Sequence, residues 1–196
     1  IPPTTTIDAS PPNPSNDSTP TFQFSGTDNV TPPGSLTFEC QVDSGGFSAC
    51  TSPHTTAALG DGSHTFQLRA RDAALNVDAS PASYTWTVDT TAPNTTIDSN
   101  PTNPDSDSTP NFTFSGNDSS GSGVASFQCK MDGGVYSACT SPFTSSALTD
   151  GSHTFYVYAI DNAANQDASP ASYTWTLDAT APDTTITSNP SNPTSS

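Results

Sequence analysis

A long internal repeat constrains this chain more than any other feature of its sequence. The segment Thr6-Ile7-Asp8 recurs as Thr96-Ile97-Asp98, and the runs SACTSP, DGSHTF and DASPASYTWT each occur twice without a substitution. The offset between the copies is 90 residues before the first cysteine and 89 residues after it. A repeat of this length can enclose a small hydrophobic core, so it predicts one folded domain per copy.

The repeat also sets the predicted domain boundaries. Residues 1–91 and 92–181 are two complete copies, and residues 182–196 correspond to the first strand of a third copy. That last segment is too short to fold alone. It belongs either to a longer array of domains or to a strand that is donated to the sheet edge of a neighbouring chain.

Alternating apolar residues identify the elements within each copy as β-strands. Phe22 and Phe24 share one face of a strand, and Tyr84, Trp86 and Val88 share one face of another. No segment has the period of an amphipathic helix. Turn-forming clusters such as NPSNDSTP, DSGG and LGDGS separate the strands. This pattern predicts an all-β chain made of tandem antiparallel β-sandwiches.

The order of short motifs in each copy resembles that of bacterial immunoglobulin-like repeats. The motifs are TTI, F-x-F-S-G-x-D, a strand ending in Cys, L-x-D-G-S-H-T-F, D-x-A-x-N, Y-T-W-T and D-x-T-A-P, and together they cover essentially the whole chain. The resemblance implies tandem immunoglobulin-like domains of secreted or cell-surface proteins, where such repeats serve as stalks, spacers or adhesive modules. Unlike in antibody domains, the tryptophan lies on the last strand, and the cysteines are not placed to join the two sheets.

The cysteines predict one local disulfide in each domain. Nine residues separate Cys40 from Cys50 and Cys129 from Cys139, and each interval contains an Asp- and Gly-rich hairpin signal. A zinc site needs four ligands and closer spacing. Buried free thiols are the alternative. Because disulfides persist in oxidising compartments, we expect the protein to be extracellular or on the cell surface.

Composition excludes several functional classes. With 19 acidic and three basic residues, and a formal net charge of −16, the chain has almost nothing with which to bind nucleic-acid phosphates. No apolar run approaches the roughly 20 residues of a membrane helix, so membrane insertion is not expected. No nucleophile elbow, phosphate-binding loop or zinc-protease motif occurs, and His64 and His153 lie in equivalent turns. The sequence predicts no catalytic residues and no enzyme activity.

Calcium is the one cofactor that the sequence suggests, although none is required by the fold. The loops after the second and sixth strands of an immunoglobulin-like domain lie at the same end, where the preceding linker also arrives. Oxygen ligands at a domain junction suit Ca²⁺. The alternative is that these carboxylates cap turns and keep the protein soluble. The predicted ligands are Asp89, Asp118, Asp161 and Asp167.

Outward-facing residues on two adjoining strands predict a contact face. In the second copy, aromatic and branched residues replace the polar ones of the first, which is typical of a surface that binds a partner. The partner is either a neighbouring chain or a glycan, and an unoccupied face is the alternative. The residues of this face are Arg69, Arg71, Lys130, Tyr156, Tyr158 and Ile160.

These features favour a structural role for the protein. Proline-rich segments and the short connection at residues 89–93 predict stiff joints between the domains, so the chain is interpreted as part of a stalk, fibre or filament. Its partners would be further repeats or copies of the same chain. The alternative is an adhesin or carbohydrate-binding module that binds glycans either through Tyr156 and Tyr158 or through the acidic loops with Ca²⁺, or a set of accessory repeats of a larger secreted enzyme.

Overall fold

The computed structural model describes residues 1–119 and 121–188, which form two β-sandwiches in succession. The first contains β1 (Thr4–Ala9), β2 (Thr21–Thr27), β3 (Thr37–Val42), β4 (Ser48–Cys50), β5 (His54–Thr55), β6 (Gly62–Arg71) and β7 (Ala82–Val88), with a 3-10 turn at Pro33–Ser35. The second contains β8 (Asn94–Ser99), β9 (Asn111–Asn117), β10 (Val124–Met131), β11 (Ser137–Cys139), β12 (Phe143–Thr144), β13 (Gly151–Asp161) and β14 (Ala171–Leu177).

Each sandwich has a three-stranded sheet facing a four-stranded sheet. The strand orders are β1-β2-β5 and β4-β3-β6-β7 in the first domain, and β8-β9-β12 and β11-β10-β13-β14 in the second. All pairings between these strands are antiparallel. The predicted fold class, tandem all-β sandwiches, is therefore confirmed.

The core of each domain consists of the aromatic residues that the alternation placed on the inner face. Phe22 stacks on Phe66 with ring centroids 4.1 Å apart, and Trp86 is completely buried beside them. In the second domain, Phe112 and Phe155 stack at 4.3 Å. Burying each such side chain stabilises a domain by about 1.5–3 kcal/mol, which explains how a chain with few apolar residues folds.

Both predicted disulfides are formed, and each one pins a hairpin. Cys40 on β3 joins Cys50 on β4 with Cα atoms 5.8 Å apart, and Cys129 on β10 joins Cys139 on β11 at the same Cα distance. β3 and β4 are neighbours in one sheet, as are β10 and β11, so neither bond crosses between the sheets. The alternative of free thiols is wrong, since no free cysteine is present.

The described residues include only the first part of the third copy. Residues 182–188 are exposed and form no strand, and the rest of the copy lies outside the described residues. The domain boundaries themselves stay a prediction. The described residues contain no helix that is both long and apolar enough to cross a membrane.

Candidate functional site

Residues 89–93, here called the linker, connect β7 to β8 and are held first by the domain that precedes them. One carboxylate oxygen of Asp61 accepts the backbone N–H of Thr90 at 2.9 Å and its hydroxyl at 2.7 Å. The other oxygen accepts the hydroxyl of Thr91 at 2.8 Å. These hydrogen bonds, from Thr90 first, lower the pKa of the Asp61 carboxyl group. The linker therefore begins as a fixed extension of the first domain.

Asp89 is held by both domains. Its backbone N–H donates to the carbonyl of Ser15 in the first domain at 2.9 Å. Its side chain accepts the backbone N–H of Ser122 at 2.6 Å, and its carbonyl accepts the side-chain amide of Asn165 at 2.8 Å, both from the second domain. Only 1% of Asp89 is exposed. The junction is thus an interface with buried polar contacts on each side.

Three aspartates meet at this junction and form what we call the carboxylate cluster, consisting of Asp89, Asp118 and Asp161. One oxygen from each lies within 4.8 Å of the others. Asp161 is 2% exposed and accepts the backbone and side-chain N–H groups of Asn165, both at 2.8 Å. Oδ1 of Asp118 is buried and has no hydrogen-bond partner among the described residues.

The electrostatics of the carboxylate cluster are unfavourable without a cation. Within the described residues, none of its three side chains forms an ion pair with a basic group. At this spacing, two full negative charges repel each other by about 3 kcal/mol at an effective dielectric constant of about 20. The arrangement of hard oxygen atoms, two of the three residues being buried, is chemically suited to a divalent cation such as Ca²⁺.

Asp167, the fourth predicted ligand, lies outside the carboxylate cluster. Its oxygens accept the backbone N–H groups of Thr95 and Ser169, each at 2.8 Å, and the hydroxyl of Ser169 at 2.9 Å. Burial raises the pKa of Asp167, but these hydrogen bonds outweigh it, so the pKa is lowered overall. Asp167 fastens β8 to the loop after β13, and its two oxygens are already engaged there.

The sequence pattern did not identify Gly121, a glycine that lies against the carboxylate cluster. A Cβ on Gly121 would lie 2.3 Å from Oδ1 of Asp118, so the Asp118 side chain would have to leave its present position. The adjacent Ser122 supplies the N–H that binds Asp89. The signal was present as a Gly- and Ser-rich loop with one residue fewer than its counterpart in the first copy.

The first domain contains two thirds of the same arrangement. Asp28 and Asp72 are the equivalents of Asp118 and Asp161, and Oδ1 of Asp28 is likewise buried without a hydrogen-bond partner in the described part of the chain. The hydrogen bond from Asn76 lowers the pKa of Asp72, whereas the nearby charge of Asp28 raises it. Among the described residues, no third carboxylate, histidine or cysteine joins Asp28 and Asp72 at the spacing of the carboxylate cluster.

The predicted contact face is charged and internally paired in the first domain. Arg69 and Arg71 both bond to Glu39, at 2.7 Å and 3.4 Å, and the Arg69 guanidinium lies 4.0 Å from the ring centroid of Phe47. The hydrogen bond from Arg69 lowers the pKa of Glu39, with burial opposing it. Neither Glu39 nor Phe47 was among the predicted residues, although Glu39 has the same parity as the other outward residues of β3.

In the second domain the same surface is aromatic. The Lys130 ammonium lies 4.8 Å and 4.7 Å from the ring centroids of Tyr136 and Tyr156, and Tyr158 meets Tyr136 edge to face at 4.8 Å. We call these four residues the aromatic face. Ile160, the sixth predicted residue, lies farther along β13 opposite Ser126 and is half-buried.

Comparison with known proteins identifies a similar fold among solved structures. No protein-family model matches the chain, and no curated protein matches it. Among solved structures, the chain is similar to the fibronectin(III)-like modules of CbhA from Clostridium thermocellum, with a TM-score of 0.52 and 16% sequence identity. The match covers 89% of this chain and 94% of that one. The chain therefore has the β-sandwich fold shared by immunoglobulin-like and fibronectin(III)-like modules.

Proposed function

We propose that this chain is a non-catalytic structural protein of the extracellular space or the cell surface, in which stiffly joined β-sandwiches form a stalk, fibre or filament subunit. The observation that carries the proposal is the linker, which is bonded to the domain before it through Asp61 and to the domain after it through Asn165 and Ser122. A joint held from both sides transmits orientation from one domain to the next.

The chemistry of the chain supports an extracellular location. Two disulfides close hairpins in its two domains, and such bonds persist in oxidising compartments. A formal net charge of −16 keeps such a surface soluble. The binding partners in this proposal are further repeats or other copies of the same chain.

The stiff joint is tested by small-angle X-ray scattering of the whole chain in solution. We expect the scattering to fit one fixed arrangement of the two domains. The variant Asp89→Ala should broaden the interdomain distance distribution, because it removes the buried side-chain bond to Ser122. Asp178→Ala is the matched control, since Asp178 is the repeat equivalent of Asp89 and is exposed. A broad distribution in the unmodified protein would refute the proposal.

Calcium belongs to this proposal as the ion that completes the joint. Asp89 and Asp161 are buried carboxylates with no basic partner in the described ranges, and the buried oxygen of Asp118 has an unused lone pair. A divalent cation would neutralise their repulsion and tie the linker to two loops of the second domain. Titration calorimetry with CaCl2 should give one site per chain, and no heat in Asp118→Asn. Absence of binding to the unmodified protein would remove calcium from the proposal.

The aromatic face favours a second function, recognition of carbohydrate by an adhesin-like module. Half-buried tyrosine rings around one ammonium group provide both a stacking surface and a hydrogen-bond donor, which suit a sugar ring. Glycan-array binding by the chain tests this idea. It should be lost in Tyr156→Gln, which installs the residue found at the equivalent position of the first copy. Ordered polymers seen by electron microscopy, with no glycan bound, would favour the structural function instead.

A further inference from the structure

Two equivalent histidines have an unusual pair of partners. Nδ1 of His64 lies 2.8 Å from a carboxylate oxygen of Asp43, and Nε2 lies 2.8 Å from the carbonyl oxygen of Gly60. In the second domain, His153 lies 2.9 Å from Asp132 and 2.7 Å from the carbonyl of Thr149. Each ring therefore has a hydrogen-bond acceptor on both sides.

Only a protonated ring satisfies both contacts. A neutral imidazole carries one N–H, whereas neither a carbonyl nor an ionised carboxylate can donate a proton to the other nitrogen. For His64, burial lowers the pKa but the bonds to Asp43 and Gly60 outweigh it, so the pKa is raised. For His153, the bond to Asp132 raises the pKa most. The position of an acceptor beside each nitrogen thus favours the imidazolium form of both rings.

The surroundings fix the carboxylate in place. Asp43 has a left-handed backbone (φ 52°); its N–H donates to the carbonyl of Thr65 at 2.8 Å, and its second oxygen accepts the N–H of Thr65 at 2.9 Å. From β7, the ring facing His64 is the uncharged Trp86, with centroids 5.9 Å apart. Asp61, in the loop before β6, uses its carboxylate to hold Thr90 and Thr91. Asp43 is therefore the charged group that faces the imidazole.

The histidine contact is adjacent to the anchor of the linker. Gly60, which accepts from His64, directly precedes Asp61, the residue that binds Thr90. The second domain repeats this order at its far end. The carbonyl of Thr149 accepts a hydrogen bond from His153. The next residue, Asp150, accepts the backbone N–H of Ala179 at 2.8 Å and also bonds to the hydroxyl of Thr180.

We propose that each domain carries a proton-dependent latch, in which the imidazolium holds the loop that anchors the following linker and releases it when the ring loses its proton. The latch of the first domain is Asp43–His64–Gly60, and that of the second is Asp132–His153–Thr149. This inference rests on the proposed function as a stiff array, because it makes the stiffness of each joint depend on pH.

The pH range of the latch follows from its two groups. A histidine whose folded pKa is raised contributes stability fully below its ordinary pKa of 6.5, and that contribution is lost as the pH rises through the folded value. The pKa of Asp43 is lowered: burial opposes the change, and the bonds from His64 and Thr65 outweigh it. Its contribution is present above 3.8 and lost as the pH falls through its folded value. Both contributions are therefore fully present between pH 3.8 and pH 6.5, and in this range the latch is complete.

NMR titration of the whole chain tests the latch. The imidazole signals of His64 and His153 should titrate above pH 6.5, and the 15N relaxation of the Ala179 amide should change from rigid to mobile with the midpoint of His153. Ala179 is the better reporter because it is bonded to Asp150 and not to the carboxylate cluster. In the first domain, the 15N relaxation of the Thr90 amide should likewise change from rigid to mobile with the midpoint of His64.

The matched variant is Asp132→Asn. Asparagine tolerates the left-handed backbone and can still accept the N–H of Thr154, but its amide donates to the ring and so suits a neutral imidazole. The midpoint of His153 should fall, and Ala179 should stay rigid across the titration, whereas His64 should not change. Asp43→Asn is the reciprocal variant, which should lower the midpoint of His64 and leave that of His153 unchanged.

The outcomes separate this inference from the function on which it rests. Midpoints at or below 6.5 for both histidines would refute the latch, as would an Ala179 amide that stays rigid while His153 titrates above that value. Either result would leave the stiff array intact. A linker that is mobile at every pH would instead refute the stiff array, and the latch with it.

Discussion

The two domains share a core but differ on one surface. Each buries the same ring pair, Phe22 with Phe66 and Phe112 with Phe155, under one tryptophan. On the outward side of the four-stranded sheet, however, the first domain presents ion pairs centred on Glu39, and the second presents tyrosines around Lys130. The same aromatic pair packs in both cores, whereas the outward side chains of the four-stranded sheet differ between the two domains.

The surface changes occur as cross-strand pairs. Glu39 lies opposite Arg69, and their equivalents, Gln128 and Tyr158, are also opposite each other. Replacing one member of the ion pair alone would leave a charge without its partner, and here both members are replaced. The difference between the domains therefore concerns the chemistry of one surface and not how each domain folds.

The largest expected effect tests whether the two domains fold independently. Trp86→Ala should destabilise the first domain by about 3–5 kcal/mol, because it removes a completely buried ring from the core. Trp175, the one remaining tryptophan, should still report native fluorescence from the second domain during denaturant unfolding. A shift of the Trp175 transition to lower denaturant concentration in this variant would show that the junction couples the domains into one folding unit. Trp175→Ala is the mirror experiment.

Disulfide removal is the next largest effect and should be equal in the two domains. The double variant Cys40→Ala/Cys50→Ala is expected to lower the free energy of unfolding by about 2–3 kcal/mol, since a short loop is no longer closed in the unfolded state. The double variant Cys129→Ala/Cys139→Ala opens a loop of the same sequence separation, 10 residues. Guanidinium unfolding measures both, and unequal losses would contradict the equivalence of the two hairpins.

Calcium should distinguish the domains, because among the described residues the linker carboxylate of Asp89 lies beside the two loop carboxylates of the second domain. At a calcium concentration 100 times the dissociation constant, the second domain should gain about 2.7 kcal/mol, and the first should gain less. Thermal unfolding in calcium and in chelator measures this gain. Asp118→Asn should abolish it, whereas the equivalent variant Asp28→Asn should not affect the second domain.

The smallest effect concerns the ion pairs on the surface of the first domain. Glu39→Gln installs the residue of the second copy and should cost about 0.2–1 kcal/mol, because the pairs with Arg69 and Arg71 are partly exposed to solvent. The cost should shrink at high salt concentration, which screens such pairs. A salt-independent loss in denaturant unfolding would show that packing, and not charge, accounts for the effect.

The sequence predicted the local features of the fold correctly. Alternation in β2, β6 and β7 identified the buried rings, and the hairpin signal between Cys40 and Cys50 identified their bond, because strands and hairpins depend on neighbouring residues. The carboxylates were harder to assign. Asp167 has the same composition signal as Asp161, but one of its oxygens accepts the N–H of Thr95, which is distant in sequence, and the other accepts from Ser169.

The amino-acid sequence by itself determined the repeat, the all-β class, the disulfides and the buried face of each strand, since each depends on spacing along the chain. Only the tertiary structure decided which charged groups meet. Asp89, Asp118 and Asp161 come from three separate segments, and His64 finds Asp43 across a turn and Gly60 in another loop. Hydrogen bonds and charge interactions act over a few ångströms, so they depend on how distant loops are brought together in three dimensions.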